Sequence, residues 1–528
     1  MKRLLLSLLT IGMLIMSVCV FAEEEYDSYI IKYKDGYSPG QKSEISMFSL
    51  GADEEPVETP VVEEWNMYTV SAENLDKIDM SMVEYIEPNY KLELYSDYIP
   101  NDTHYQYQWN LPMIKIPYVW GQGYFGEGIK VAVIDSGIDL NHSDLYGYVS
   151  EENCVDFSGS GYFEETLPEY YAINCRANNH GTSVASVISS AINNSSGIAG
   201  VTKAQIYMLK VFKAVKLDEN TIEYTGDISS TISALHYAVN KIKCDVVNMS
   251  LGFSSNSGGE IPATDETMKS LRRVIDFAYQ NGTIIVAASG NDGNKGNAIS
   301  YPAYSDHVIS VGSVNSQKAI SVFSSYNKML DVVAPGEDVI TAWGYYPKED
   351  DGNDAYIFNS GTSVAAPHIT GVCAVVKGIN KDVNQDDVEL LIKYSCEDLG
   401  SEGRDDYYGW GLIDASRLIA LVDTDEAELV AGYPIYDAAK DELTLNYFNS
   451  SNTMQYTGVS SRAVIYDENG TLAYISEPID ITVPVFSEKS YTFEGIDIPN
   501  GGCAKILCMS DWQKMLPATN VAVYSMTL

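Results

Sequence analysis

Gly128-Ile-Lys130-Val-Ala-Val-Ile134-Asp135-Ser-Gly137 decides how this chain is read. The run Lys130 to Ile134 is short, apolar and rich in β-branched residues, as a strand buried on both faces must be. Asp135 follows directly, so its carboxylate falls at the carboxyl end of a sheet, where open α/β folds place their active sites. Similar runs recur at Ala204 to Val211, Asp245 to Met249, Thr283 to Ala288, Val308 to Val314 and Leu330 to Val333. Helix-like segments separate several of them, including Ser183 to Ile192, Ile228 to Lys241 and Met268 to Gln280. The alternation predicts an α/β doubly wound domain with a mostly parallel sheet over residues 98–421.

The flanks read differently. Lys2 and Arg3 precede an apolar run from Leu4 to Val18, then Val20-Phe21-Ala22 and three Glu residues, the pattern of a removable secretory signal over 1–22 cut after Ala22. A membrane anchor is the alternative, but the run is short of the roughly 20 apolar residues a span needs, and no later segment reaches that length. Val18 is bulky where a lipoprotein site at Cys19 would want a small residue. Residues 23–97 carry strand-like runs at Tyr29 to Gly36, Trp65 to Val70 and Val83 to Leu94, with an acidic, Pro-bearing loop at Gly51 to Pro60, and predict a small α+β unit. Residues 422–528 carry strands at Leu443 to Phe448, Arg462 to Tyr466, Leu472 to Ile475, Tyr491 to Phe493, Lys505 to Met509 and Val521 to Tyr524. Asn469-Gly470 is a hairpin turn between two of them, so this part predicts an all-β sandwich domain.

Composition narrows the function. The 33 Lys and Arg against 73 Asp and Glu leave a net charge of −40, which argues against nucleic acid and anionic membranes as partners. Of eight cysteines, seven remain once Cys19 leaves with the signal, so in an oxidising compartment one stays free or pairs with another molecule. Cys154 with Cys175, and Cys503 with Cys508, are plausible disulfides; Cys244 and Cys373 read as small buried thiols.

Three segments carry chemistry. Asp135 alone means little, and His180, opening His180-Gly-Thr-Ser-Val-Ala185, would alone be a structural histidine. Ser363 lies in Asn359-Ser-Gly-Thr-Ser-Val-Ala-Ala-Pro-His-Ile-Thr-Gly371 at the start of an apolar helix, where a serine can serve as an N-cap. The small neighbours Gly361 and Ala365 leave room for a substrate backbone, and the helix N-terminus favours negative charge beside Ser363.

Taken together, the three segments resemble the subtilases, the subtilisin-like serine peptidases, in the family's order Asp, His, Ser. Further matches stand at Asn248-Met-Ser-Leu-Gly252, Ala287-Ala-Ser-Gly-Asn291, Val333-Ala-Pro-Gly336 and Tyr408-Gly-Trp-Gly411, and Asn193 to Gly200 with Tyr301-Pro-Ala303 resemble the thermitase-like secreted members. The resemblance implies a serine endopeptidase with Asp135, His180 and Ser363 as triad and Asn291 in the oxyanion hole. It also implies a cleft walled by Ser250, Leu251 and Gly252 and by Ala288, Ser289 and Gly290, with Tyr224 to Gly226 pairing on the opposite side of the substrate. No charge stands in those walls, which predicts an apolar or aromatic residue before the cut.

A structural calcium ion is implied by the resemblance of Asn194, with carbonyls of Ile192, Ser196 and Ile198, to the family's calcium loop, Asp102 and Asp144 being the matching carboxylates. Residues 23–97 resemble the inhibitory propeptide, which implies a zymogen that cuts itself between Leu92 and Pro100; a permanent accessory domain is the alternative. Two positions depart from the family: Ser183 stands for the usual His and Val364 for the usual Met, which predicts peroxide resistance. A reading from another class remains, a surface-binding protein that grips its partner through the C-terminal β-domain, as does narrow processing of a single client protein.

Overall fold

The computed structural model describes residues 28–34, 58–62, 65–71, 74, 78 and 82–88, and residues 97–528 apart from 160–178, 217–221, 255–267, 345–354, 423–428, 452–454, 468–470, 500–502, 512–515, 518–523 and 528. The signal segment, Cys175 and the turn Asn469-Gly470 lie outside the described residues.

The chain divides after Leu94 into two units. In the first, Ser28–Tyr33 pairs antiparallel with Met67–Ser71 and Val83–Pro88, and Glu58–Val62 adds an outer strand. Ile31, Tyr33, Val70 and Val83 belong to its core. The end of the expected loop at 51–60 is therefore a strand, and Pro60 is accommodated because that strand lies at the sheet's edge.

In the second unit a seven-stranded parallel sheet runs in the order Val332–Pro335, Ile309–Val314, Ile284–Ala288, Val246–Met249, Lys130–Asp135, Gln205–Lys210, Cys154–Asp156. Every residue of Val246–Met249, Ile284–Ala288 and Ile309–Val314 is buried, which is why these strands read as continuous apolar runs. Alternate residues serve opposite faces. Val131, Val133, Val246 and Ile284 pack with Ala365, Ile369 and Val372 of the helix Thr362–Ile379. Ala132, Ile134, Val247 and Ile285 pack with Leu235 and Leu271 of the helices Ile228–Tyr237 and Lys269–Gln280. The fold is thus the doubly wound α/β architecture expected.

Helix boundaries shifted from the sequence reading for local reasons. The expected Ser183 to Ile192 is His180–Ser189, since Ser190 is already extended. The stretch from Ile228 passes into a π-helical turn at Ala238–Ile242 and stops where Lys243 turns left-handed. Thr362–Ile379 is long and apolar enough to cross a bilayer, but 89% of its span is buried in the protein core.

The C-terminal strands form two antiparallel sheets. One is built on Glu442–Asn449 with Ser487–Glu494, the other on Tyr456–Tyr466 with Cys503–Asp511. Leu443, Leu445 and Tyr447 of the first share a core with Ala463, Ile465, Ala504 and Ile506 of the second, so this part is an all-β sandwich. Tyr447 points into that core, whereas Phe448 on the other face stacks on Tyr394 at 5.1 Å between ring centres. Tyr394 Oη also donates to Glu488 at 2.6 Å, and Lys393 forms an ion pair with the same carboxylate. The helix Gln385–Ser395 is therefore joined to the sandwich by packing as well as by charge.

The expected pairing of Cys503 with Cys508 does not hold. Both lie in the single strand Cys503–Asp511, where five residues span about 17 Å, and the Cys503 thiol is free. Cys244 and Cys373 are buried, and burial pushes the Cys373 thiol up to about 12.

Candidate active site

Asp135 ends its strand with its side chain sealed from solvent. Oδ1 accepts from His180 Nδ1 at 2.8 Å and from the Ser136 N–H at 2.7 Å. His180 opens its helix, and the preceding Asn179 donates its Nδ2 to the Gly344 carbonyl. With Nδ1 engaged by a carboxylate, Nε2 is the nitrogen directed away from Asp135. The departure at Ser183 has a direct explanation: its Oγ bonds Thr341 Oγ1 at 2.9 Å and the Ala342 carbonyl at 3.0 Å, tying the histidine's helix to the strand Val339–Trp343. Val364 packs with Val187 and Val339.

Ser363 is the second residue of the helix Thr362–Ile379. A Cβ placed on Gly361 would lie 2.9 Å from Ser363 Oγ and 3.5 Å from Asn291 Nδ2, so hydroxyl and amide border one notch that only glycine leaves open. Asn291 Oδ1 accepts from the N–H of Thr362 at 2.9 Å and from Thr362 Oγ1 at 3.0 Å, and Thr362 Oγ1 accepts from the Gly290 N–H at 3.2 Å. Ser363 Oγ and the Asn291 amide, its N–H end turned inward, thus border one notch, while His180 is held by the buried carboxylate of Asp135 at the carboxyl end of the sheet. Such a set can remove a proton and stabilise an oxyanion.

The family profile for subtilases matches residues 126–411. The chain belongs to the subtilase family. It is similar to a thermophilic serine proteinase of Bacillus sp. (strain AK1), 29% identical over 74% of this chain and 86% of that one. It is also similar to subtilisin DY of Bacillus licheniformis, 33% identical over 58% of this chain and 96% of that one. Among solved structures, a protease from Pseudoalteromonas arctica PAMC 21717 is 26% identical, with a TM-score of 0.48, over 61% of this chain and 99% of that chain. The subtilase is a subtilisin-like serine endopeptidase.

The walls expected of the cleft adjoin one another. Ser250 to Gly252 follow the strand Val246–Met249, and Ala288 ends the neighbouring parallel strand with Ser289 and Gly290 directly after it. Ser300, which directly precedes the quoted Tyr301-Pro-Ala303, was not singled out by the sequence. The pair Ser300–Tyr301 runs antiparallel to Phe253–Ser254, and a Cβ on Gly252 would fall 2.1 Å from Ser300 Oγ. Ser300 therefore lies against the wall. Gly226 ends the strand Ile222–Gly226, which pairs antiparallel with Phe212–Lys216, and is exposed. Thr362, which orients Asn291, stood inside a quoted motif without a role.

At the expected calcium loop, Asp102 Oδ2 accepts from the Asn193 N–H at 2.8 Å, and Asp144 Oδ1 accepts from Asn194 Nδ2 at 3.0 Å. Asp144 Oδ2 accepts from the Ile198 N–H and from Tyr356 Oη, each at 2.9 Å, while Asn194 Oδ1 accepts from the Ser196 N–H at 2.8 Å. Both carboxyls are buried, and burial pushes both above the usual carboxylate range, with the charge of Asp144 adding to the rise at Asp102. Among the described residues no three His, Cys, Asp or Glu side chains gather as a metal group. A cation here would rest on two carboxylates and neutral oxygens, the donor set of a hard ion.

Proposed function

We propose that this subtilase is an exported zymogen that hydrolyses peptide bonds through an acyl-enzyme on Ser363. The observation that carries the reading is the 2.8 Å contact of His180 Nδ1 with buried Asp135, together with the notch shared by Ser363 and Asn291. His180 Nε2 takes the Ser363 hydroxyl proton as Oγ bonds to the scissile carbonyl carbon, and Asp135 stabilises the resulting imidazolium. The carbonyl oxygen, now negative, accepts from Asn291 Nδ2 and the Ser363 N–H. Collapse expels the amine, which takes its proton from His180, and a water repeats the sequence to release the acid. Extended substrate lies between Ser250 to Gly252 and the strand ending at Gly226, with the residue before the cut against Ala288 to Gly290. The hydroxyl of Ser300 beside that wall supports aromatic side chains bearing a polar edge over purely aliphatic ones.

The charge and length pattern of residues 1–22 supports export, and the four-stranded unit within 23–97 supports an inhibitory propeptide ahead of the peptidase region 98–421 and the sandwich 422–528. Calcium fits the Asp102 and Asp144 pair. Asn194, with the Ile192, Ser196 and Ile198 carbonyls, would complete the set around a shared cation. Such an ion supplies stability by neutralising two buried charges and takes no part in the reaction.

A fluorophosphonate probe tests the reading. Labelling at Ser363, lost in Ser363→Ala, with cleavage of unfolded protein substrates, is the expected result. A folded, processed chain that takes no label and leaves such substrates whole points to the surface-binding reading.

A further inference from the structure

We propose that the Ser250 side chain is a positioning residue for the nucleophile, its hydroxyl holding the Ser363 carbonyl that Pro367 leaves without a helical donor. The inference rests on the reading of Ser363 as the nucleophile. In an α-helix the carbonyl of residue 363 accepts from the N–H of residue 367. Here residue 367 is proline, inside the helix Thr362–Ile379. It has no N–H, and its ring presses on the carbonyl four residues back. The residue that must be placed most accurately is thus the one whose carbonyl the helix cannot hold.

Ser250 Oγ donates to that carbonyl at 2.9 Å. The hydroxyl is itself oriented, because it accepts from Asn248 Nδ2 at 3.0 Å and so directs its own proton toward Ser363. Asn248 is oriented in turn, its Oδ1 accepting from Thr370 Oγ1 at 2.8 Å. Thr370 stands seven residues beyond Ser363 on the same helix, so the chain of bonds leaves the helix and returns to it two turns earlier. Asn248 and Thr370 are fully buried and Ser250 nearly so, which keeps water from replacing any member. A buried carbonyl left unpaired is costly, so the Ser363 peptide would turn to find another donor if the hydroxyl were lost. That turn would carry Oγ out of line with His180 and Asn291. Ser250 therefore has two separate duties, its backbone lining the cleft and its side chain fixing the nucleophile.

The test is a double-mutant cycle on the full-length, self-processed chain, with a small fluorophosphonate that reaches Ser363 but not the cleft walls. Ser250→Ala should slow labelling roughly ten- to a hundredfold, with peptide KM little changed, since a small misplacement of a reacting group costs rate on that scale. Ser250→Thr keeps the hydroxyl and should label near the parent rate. Pro367→Ala restores an N–H four residues beyond Ser363, so in the Ser250→Ala background it should recover most of the lost rate. The same cycle read as melting temperature should show Ser250→Ala costing less when residue 367 is alanine. Parent-like labelling of Ser250→Ala, or no recovery in the double variant, overturns the positioning role alone. A parent chain that takes no label overturns the peptidase reading and this role with it.

Discussion

Thr362 grips Asn291 twice, its N–H and its Oγ1 both donating to Asn291 Oδ1, at 2.9 and 3.0 Å. The amide is thereby committed, its oxygen occupied and its Nδ2 turned to the notch beside Ser363. Asn291→Leu is expected to lower kcat by about 10²–10³, the loss known for the corresponding subtilisin side chain, with KM nearly unchanged. Thr362→Val keeps the backbone donor and removes the hydroxyl, so a loss of about tenfold in kcat is expected. Steady-state kinetics on one peptide substrate decides both; an effect confined to KM would contradict the role.

Calcium should act on stability. Saturation at about a hundredfold excess over Kd contributes about 2.7 kcal/mol to a folded state that alone binds the ion. Chelation is expected to lower the melting temperature, and Asp144→Asn to erase the difference between loaded and chelated melts. A parent chain that melts alike with and without chelator has no such site.

Acid should destabilise the protein through His368. Its ring is buried, with Nδ1 on the Val364 carbonyl at 2.9 Å and Nε2 against Asn110 Nδ2 at 2.7 Å, which requires the neutral ring. Burial lowers its pKa to about 4. Between that value and the ordinary pKa of about 6.5, the unfolded chain binds a proton that the folded chain refuses. Stability should therefore fall as pH drops through this window, by at most about 3 kcal/mol. Asp331, whose carboxyl burial pushes up to about 7, works with the opposite sign, so the comparison must be parent against His368→Gln. Denaturant melts should show the variant losing less stability than the parent, or gaining more, on going from pH 7 to pH 4.5.

The sandwich should stabilise the peptidase. Phe448 is fully buried against Tyr394, and Phe448→Ala is expected to cost about 3–5 kcal/mol. A chain ending at Val422 should melt earlier than the parent while still labelling at Ser363 below its melting point. Equal melting temperatures would make the sandwich an independent module.

Peroxide should spare activity. Val364 is buried beside the nucleophile where a methionine would offer sulfur to oxidation. Residual activity after mild peroxide is expected to stay near the starting value; rapid loss with Ser363 still able to label would refute this.

Much of this could be read from the chain because some signals are local. An apolar strand buried on both faces declares itself in five residues, so the strands near Asp135, Met249 and Ala288 were placed closely, and the Asp, His and Ser segments with them. Helix ends were less legible, since Ser190 and the π turn after Tyr237 obey neighbours the sequence does not name. The disulfide expectation at Cys503 and Cys508 failed because strand membership, a long-range property, sets the distance between them. Thr362 stood inside a quoted motif and Ser300 beside one, but their roles come from Asn291 and Gly252, partners far away in the chain.

What the sequence determined by itself was the family, the order of the Asp, His and Ser segments and the layered α/β fold, because periodicity and short motifs are written within a few residues. Only the tertiary structure decided how Ser363 is held. Proline at 367 removes a donor, serine at 250 supplies another, and the two meet only when a strand and a helix far apart in the chain pack face to face, since a hydrogen bond forms between positions in space.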